Sequence, residues 1–232
     1  MKKICLITGV GPGTGGALVK RFVEGGYQVA MLARNEERLS NLARDLPGAH
    51  AYPCDVTDQV VLGDVVAQIK ADLGAPNVLI HNAVGGAFGS FRDIDPEILE
   101  RNFQVNTMAL LHLARVLSPD MSAAGQGVIM ATGNTSAYRG KANFAMFAPS
   151  KAAQRILLES MARTLGPEGV HVAYVAIDAV IDVPRMRDML PDAPDEFFCQ
   201  PVDIADECFR VAHQPRSAWS FNVEIRPYGE NW

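Results

Sequence analysis

The sequence has no cluster of basic residues. Its 232 residues carry 21 lysines and arginines against 26 aspartates and glutamates, a formal charge of −5, and that balance offers no positive footprint for nucleic acid or an anionic membrane surface. No leader is legible either. After Met1-Lys2-Lys3 the apolar run Ile4-Cys5-Leu6-Ile7 gives way to glycines, which is too short for a signal peptide or a spanning helix. A cytoplasmic protein is expected, with neither membrane nor nucleic acid among its partners. Cysteine is scarce: Cys5, Cys54, Cys199 and Cys208 form no C-x-x-C pair and have no histidine at zinc spacing, which speaks for free thiols in a reducing compartment and for no metal site. The G-x-S-x-G elbow of hydrolases is missing, and the histidines pair with no evident nucleophile.

What is present is apolar content, 48% of residues against 20% charged, enough for one well-cored domain spanning residues 1–232. β-type apolar runs alternate with helix-period segments across short loops, the pattern of an α/β fold whose parallel sheet is covered on both faces. Strands are expected near 3–7, 28–32, 50–53, 77–80, 127–131, 170–176 and 220–225, and helices near 15–25, 35–44, 58–72, 96–118, 148–165 and 203–212. Gly25-Gly26 reads as a helix end and Pro96 as a first-turn proline after Asp95. Residues 182–201 break the rhythm with four prolines and the pair Phe197-Phe198. Their place after the sixth strand suits a substrate lid, or equally a plain surface excursion.

The first strand runs into Thr8-Gly9-Val10-Gly11-Pro12-Gly13-Thr14-Gly15-Gly16 and then into a helical pattern. Strand, glycine turn and helix start in this order seat a pyrophosphate, because small residues let backbone N–H groups and the helix dipole approach an anion. Two registers fit, G-x-G-x-x-G at Gly11, Gly13 and Gly16, and T-G-x-x-x-G-x-G at Thr8, Gly9, Gly13 and Gly15; the plain alternative is a flexible turn. After the second strand stands Arg34, where an NAD-type site places an acid on the ribose 2′-hydroxyl. Arginine there suits a 2′-phosphate and so NADP(H) over NAD(H), the plain alternative being a solvated arginine at a helix start. Asp55-Val56 follows the third strand, with Asp55 placed to accept from an adenine amino group and Thr57 readable as a helix cap. His81-Asn82-Ala83-Val84-Gly85-Gly86 closes the fourth with small residues that let backbone approach a flat ligand, and His81 reads as structural.

Together the Thr8-to-Gly15 turn, Asp55-Val56, Asn82-Ala83, Asn106 in Phe103-Gln104-Val105-Asn106-Thr107, Ser150-Lys151-Ala152-Ala153 and Gly166-to-Val172 resemble the short-chain dehydrogenase/reductase family over essentially the whole chain. The resemblance implies a Rossmann-like, doubly wound sheet of about seven parallel strands and a nicotinamide cofactor. It also implies a small-molecule substrate, a centre of Asn, Ser, Tyr and Lys, and a homodimer or homotetramer built on the helices near 96–118 and 148–165, whose apolar residues could equally cover the sheet of a monomer. Asn106 and Lys151 match that centre, Lys151 being the residue that binds the nicotinamide ribose. The chain departs at the other two positions: the Y-x-x-x-K tyrosine falls on Phe147 and the serine on Asn134. Where the family commonly has Pro-Gly and then Thr beside the nicotinamide amide, this chain reads Ile177-Asp178-Ala179-Val180-Ile181-Asp182-Val183, which puts Ile181 next to the cofactor. A substitute proton donor is open between Tyr138, which reads equally as a packing aromatic, and a water held by Lys151 and Asn106. The expected function is an NADP(H)-dependent oxidoreductase with an altered catalytic set, acting on a small carbonyl or alcohol. The alternative is an inactive NADP(H)-binding sensor or assembly partner.

Overall fold

Parallel strands are covered on both faces and so read as unbroken apolar runs. In the computed structural model, which describes residues 2–229, β1 (Ile4–Thr8), β2 (Gln28–Ala33), β4 (Val78–His81), β5 (Gly127–Gly133) and β6 (Val170–Ile177) are buried along nearly their whole length. The edge strands β3 (Ala49–Pro53) and β9 (Asn222–Ile225) are half-buried. All pair in parallel in the order β3-β2-β1-β4-β5-β6-β9. Alternate residues feed opposite cores. Leu6 and Leu79 point to the side covered by α3 (Gln59–Asp72), α5 (Ala109–Ala123) and α6 (Ala148–Leu165), whereas Ile7 and Ile80 point to that covered by α1 (Thr14–Glu24), α2 (Glu36–Asp45) and α8 (Pro201–Ala212). The strand order reverses between β1 and β4, and such a switch opens a crevice beyond the carboxyl ends of the strands.

Local chemistry sets the helix ends. Asp58 caps α3 through bonds to the Val60 and Val61 amides, 3.1 Å each, and Asp95 caps α4 (Pro96–Phe103) ahead of its first-turn proline. Thr57 is therefore not the cap; its amide and hydroxyl both donate to Asp55 Oδ1, at 3.0 and 2.8 Å. One helical expectation needs correcting. The helix near 96–118 is not uniform: α4 passes into a π turn at Gln104–Met108, and α5 then continues through Pro119 to Ala123. The π turn persists because the carbonyls it frees find side-chain partners, Val105 O accepting from His81 Nε2 at 2.9 Å and Asn106 O from Gln154 Nε2 at 2.6 Å. The apolar residues of α5 that are buried lie on the sheet, while Val116 on α5 and Ile156 on α6 stay exposed. Among the described residues no helix is long and apolar enough to cross a membrane.

Residues 182–201 are ordered. The short strand β7 (Val180–Ile181) pairs with β8 (Phe198–Cys199), with α7 (Pro184–Met189) between them. Arg187 ties this strap together. It donates two bonds to Asp182 (2.7 and 2.8 Å) and one to Asp195 (2.7 Å), and lies 3.9 Å over the Phe198 ring. Those bonds, and that from Gln200, hold the Asp182 carboxyl at about 2. A depressed carboxylate stabilises above its ordinary range and loses that contribution as the pH falls through the depressed value, so the tether is complete at neutral pH and fails only near pH 2. Arg187→Ala is expected to speed amide exchange across the strap roughly tenfold with little change in the global melting temperature. Unchanged exchange there would show that Arg187 does not hold the strap.

Candidate functional site

A cleft of about 1010 Å³ opens at the β1/β4 switch. Of the residues expected to touch a cofactor, Gly9, Gly11, Gly13, Thr14, Gly15, Arg34, Asp55, Val56, Asn82, Ala83, Val84 and Ile181 border it; Pro12 and Lys151 do not. Its floor depends on close backbone approach. Gly9 has φ +69°, and a Cβ there would lie 2.5 Å from Ala83 Cα. Thr8 sits under this crossing, its hydroxyl accepting from the Asn82 and Ala83 amides (3.2 and 3.1 Å) and bonded to His81 Nδ1 at 3.0 Å. With two amides already donating to it, the Thr8 hydroxyl gives its proton to Nδ1, which leaves Nε2–H to bind Val105 O. Burial, then the charge of Lys151, push His81 down to about 3. It is a neutral structural tie among β1, β4 and the π turn.

Within the cleft α1 begins at Thr14, and Gly13 at its cap position leaves no side chain capping its amides. Thr14 Oγ1, in that first turn, is buried without a hydrogen-bond partner. An uncapped helix start with an orphaned hydroxyl is a site built for an oxyanion. The outer end carries more charge than Arg34 alone, since Arg38 of α2 and Arg101 of α4 also border the cleft. Burial pushes the Asp55 carboxyl up, but the Thr57 bonds and the Arg34 and Arg101 charges outweigh it and hold it below its ordinary value. Sequence reading missed Arg38 and Arg101. Arg38 stands at i+4 from Arg34, a spacing that was available, whereas Arg101 arrives only through the packing of α4.

At the inner end Phe147, Asn134, Asn106 and Lys151 are not among the residues that border the cleft. The Phe147 ring packs against Gly86, where a Cβ would meet it at 3.3 Å, and its centroid is 6.0 Å from Lys151 Nζ. Asn106 is fully employed. Its Oδ1 accepts from the Gly85 amide at 2.9 Å, and its Nδ2 donates to Gly85 O (2.8 Å) and Ser150 Oγ (2.9 Å). Ser150 in turn donates to Phe147 O at 2.9 Å, so the start of α6 is pinned to the fourth-strand loop. Asn134 is clamped by Tyr174, whose hydroxyl donates to its carbonyl and accepts from its amide, 3.1 Å each. Ser136 donates to Asn134 Oδ1, which leaves Nδ2 as the end of that side chain able to meet a substrate oxygen.

Tyr138 is 41% exposed, reaches Asn222 of β9 at 3.4 Å, and lies under Arg155, so it is a packing aromatic. Gln154 links Lys151 to the Asn106 backbone, accepting from Lys151 Nζ at 3.0 Å and donating to Asn106 O. Lys151 also donates to Thr132 O at 3.2 Å, and burial brings its ammonium down to about 7.

Comparison with known proteins bears on this geometry. Residues 3–192 match the short chain dehydrogenase family. The chain is 27% identical over 229 residues to the 7alpha-hydroxysteroid dehydrogenase of Escherichia coli (strain K12), covering 94% of this chain and 89% of that protein. Among solved structures it is similar to a metagenomic short-chain oxidoreductase in complex with NADP, with TM-score 0.84 and 25% identity over 98% of both chains. It also superposes on the NADPH-bound short chain oxidoreductase with an atypical catalytic center from Pseudomonas aeruginosa PAO1, with TM-score 0.88 and 22% identity over 99% of this chain and 97% of that one.

Proposed function

Because the chain belongs to the short chain dehydrogenase family and is an oxidoreductase of that type, we propose that it moves hydride between NADP(H) and a small carbonyl or alcohol with an altered catalytic set, Phe147 standing for the tyrosine and Asn134 for the serine. The observation that carries this reading is the uncapped start of α1 with its orphaned Thr14 hydroxyl, in a cleft that ends in three arginines. The residues fit a phosphorylated dinucleotide: the glycine turn and Thr14 for the pyrophosphate, Arg34 with Arg38 and Arg101 for a 2′-phosphate, Asp55 for the adenine, and Asn82 to Val84 along its length. When bound, the nicotinamide supplies or accepts the hydride. At the inner end Asn134 Nδ2 donates to the carbonyl oxygen and polarises it, the Phe147 ring excludes water, and Lys151 keeps one N–H for the bound ligand. A homodimer or homotetramer through α5 and α6 belongs to the same reading, supported by exposed Val116 and Ile156.

A charge-assisted bond to phosphate contributes about 1.5–3 kcal/mol, so NADPH is expected to bind about tenfold or more tightly than NADH. Arg34→Ala should erase most of that difference. Calorimetric titration of both cofactors tests the site, and equal affinities would sink the NADP(H) assignment. NADPH binding without turnover of any carbonyl in a broad panel would instead favour the sensor.

A further inference from the structure

Lys151 is held by more than its place in a motif. Its side chain is 2% exposed, and two of its three N–H bonds are committed, to Thr132 O and to Gln154 Oε1. Gln154 lies one turn further along α6 and is fully buried. Its Nε2 meets the Asn106 carbonyl that the π turn releases from the helix. A buried amide is costly unless both ends are bonded. Here both are, which fixes the amide with its oxygen toward Lys151 and leaves one N–H of the ammonium for a ligand. Among the described residues no carboxylate bonds to Nζ. The titratable groups on the surrounding elements are neutral His81 of β4, Tyr174 of β6 with its hydroxyl spent on Asn134, and Arg155 of α6 paired with Glu159. Gln154 Oε1 is thus the one side-chain acceptor on this ammonium among those residues.

We propose that Gln154 is a positioning residue that holds Lys151 for proton transfer, and that the proton taken up by the substrate oxygen in this chain originates on the Lys151 ammonium. This rests on the oxidoreductase reading above. In reduction the carbonyl carbon gains the hydride that the reduced nicotinamide supplies, and the C=O π pair moves onto oxygen. That oxygen gains a proton as an N–H bond of Lys151 breaks, and the neutral amine recovers its proton from solvent. Burial that brings this ammonium to about 7 makes both charge states accessible near neutral pH.

The test is to titrate Lys151 in the cofactor-free full chain by the 13C shift of its labelled Cε, the signal being assigned by its loss in Lys151→Met. The same proteins are then followed by pH profile for NADPH oxidation with a carbonyl panel. Gln154→Leu removes the acceptor and should lower the midpoint by about one unit, whereas Gln154→Glu sets a carboxylate beside the ammonium and should raise it by about one unit or more. The alkaline limb of reduction, where activity falls as Lys151 loses its proton, should move with the midpoint in each direction. A glutamine that merely fills space would change folding stability and leave both where they are. If Gln154→Leu fails to fold, Gln154→Glu alone decides: an unmoved midpoint overturns the positioning role. A midpoint that moves while the rate limb stays fixed overturns Lys151 as the proton source. Failure of the wild type to bind NADPH would count against the oxidoreductase reading, and the titration would still judge the tether.

Discussion

Phe147→Tyr is expected to raise carbonyl reduction by about 10²-fold on the alkaline side of the Lys151 titration, the contribution typical of a positioned general acid. The two residues lie one helical turn apart, and the Phe147 ring centroid is 6.0 Å from Lys151 Nζ, so a phenol there would supply a proton beside Lys151 when the lysine has lost its own. The gain should shrink as the pH falls below about 7, where the wild-type ammonium is protonated and able to supply the proton itself. Phe147→Tyr/Asn134→Ser should exceed either single change, because Asn134 presents an amide where the family pattern has a hydroxyl. Steady-state NADPH oxidation, with wild type and Lys151→Ala as references, measures this. Rapid wild-type turnover that falls on Phe147→Tyr would mean that the phenylalanine belongs to a different chemistry.

Gly13→Val should strip NADPH affinity by about 10²–10⁴-fold, the loss of two charge-assisted bonds to phosphate at about 1.5–3 kcal/mol each. The structure adds a second consequence: a Cβ at position 13 would come within 2.7 Å of Val183 Cγ1, so the variant also pushes on the strap. Adding Val183→Ala separates the two effects. If affinity returns in the double variant, the strap and not the phosphate seat was the cause; if it stays lost while circular dichroism reports a folded protein, the seat is the glycine turn. A folded Gly13→Val that binds NADPH normally would remove the site from this turn. Gly11→Val is the companion measurement, since a Cβ there meets nothing within 4 Å and its effect reads the ligand rather than the fold.

The outer half of the candidate cleft was legible because its signals are local. Gly9 to Gly15, Arg34 and Asp55 each stand at the end of an apolar run, and a parallel sheet delivers the ends of β1, β2 and β3 to one edge. The inner half was not, because its determinants pair across the fold. Nothing in the composition of Gln104–Met108 announces a π turn; it exists because His81 and Gln154, from β4 and α6, take its released carbonyls. Gln154 itself was within reach, three residues from Lys151 and so on the same helical face, but its meaning depends on the carbonyl opposite. Tyr138 was open to two readings because its ring direction is decided by Arg155 and Tyr174, far away in sequence.

The π turn has a geometric corollary. One residue beyond regular winding shifts a helix by about 100° of phase and 1.5 Å of rise. Upstream of it, α4 presents Arg101 and Asn102 to the cleft; downstream, α5 lays its apolar face on the sheet. With uniform winding between them, a face that seats α5 on the sheet would carry Arg101 and Asn102 about a quarter-turn away from the cleft. The same extra residue exposes the carbonyl that anchors Gln154. A single added residue in one helix therefore sets the angular alignment between the charged mouth of the cleft and the carbonyl that, through Gln154, holds Lys151.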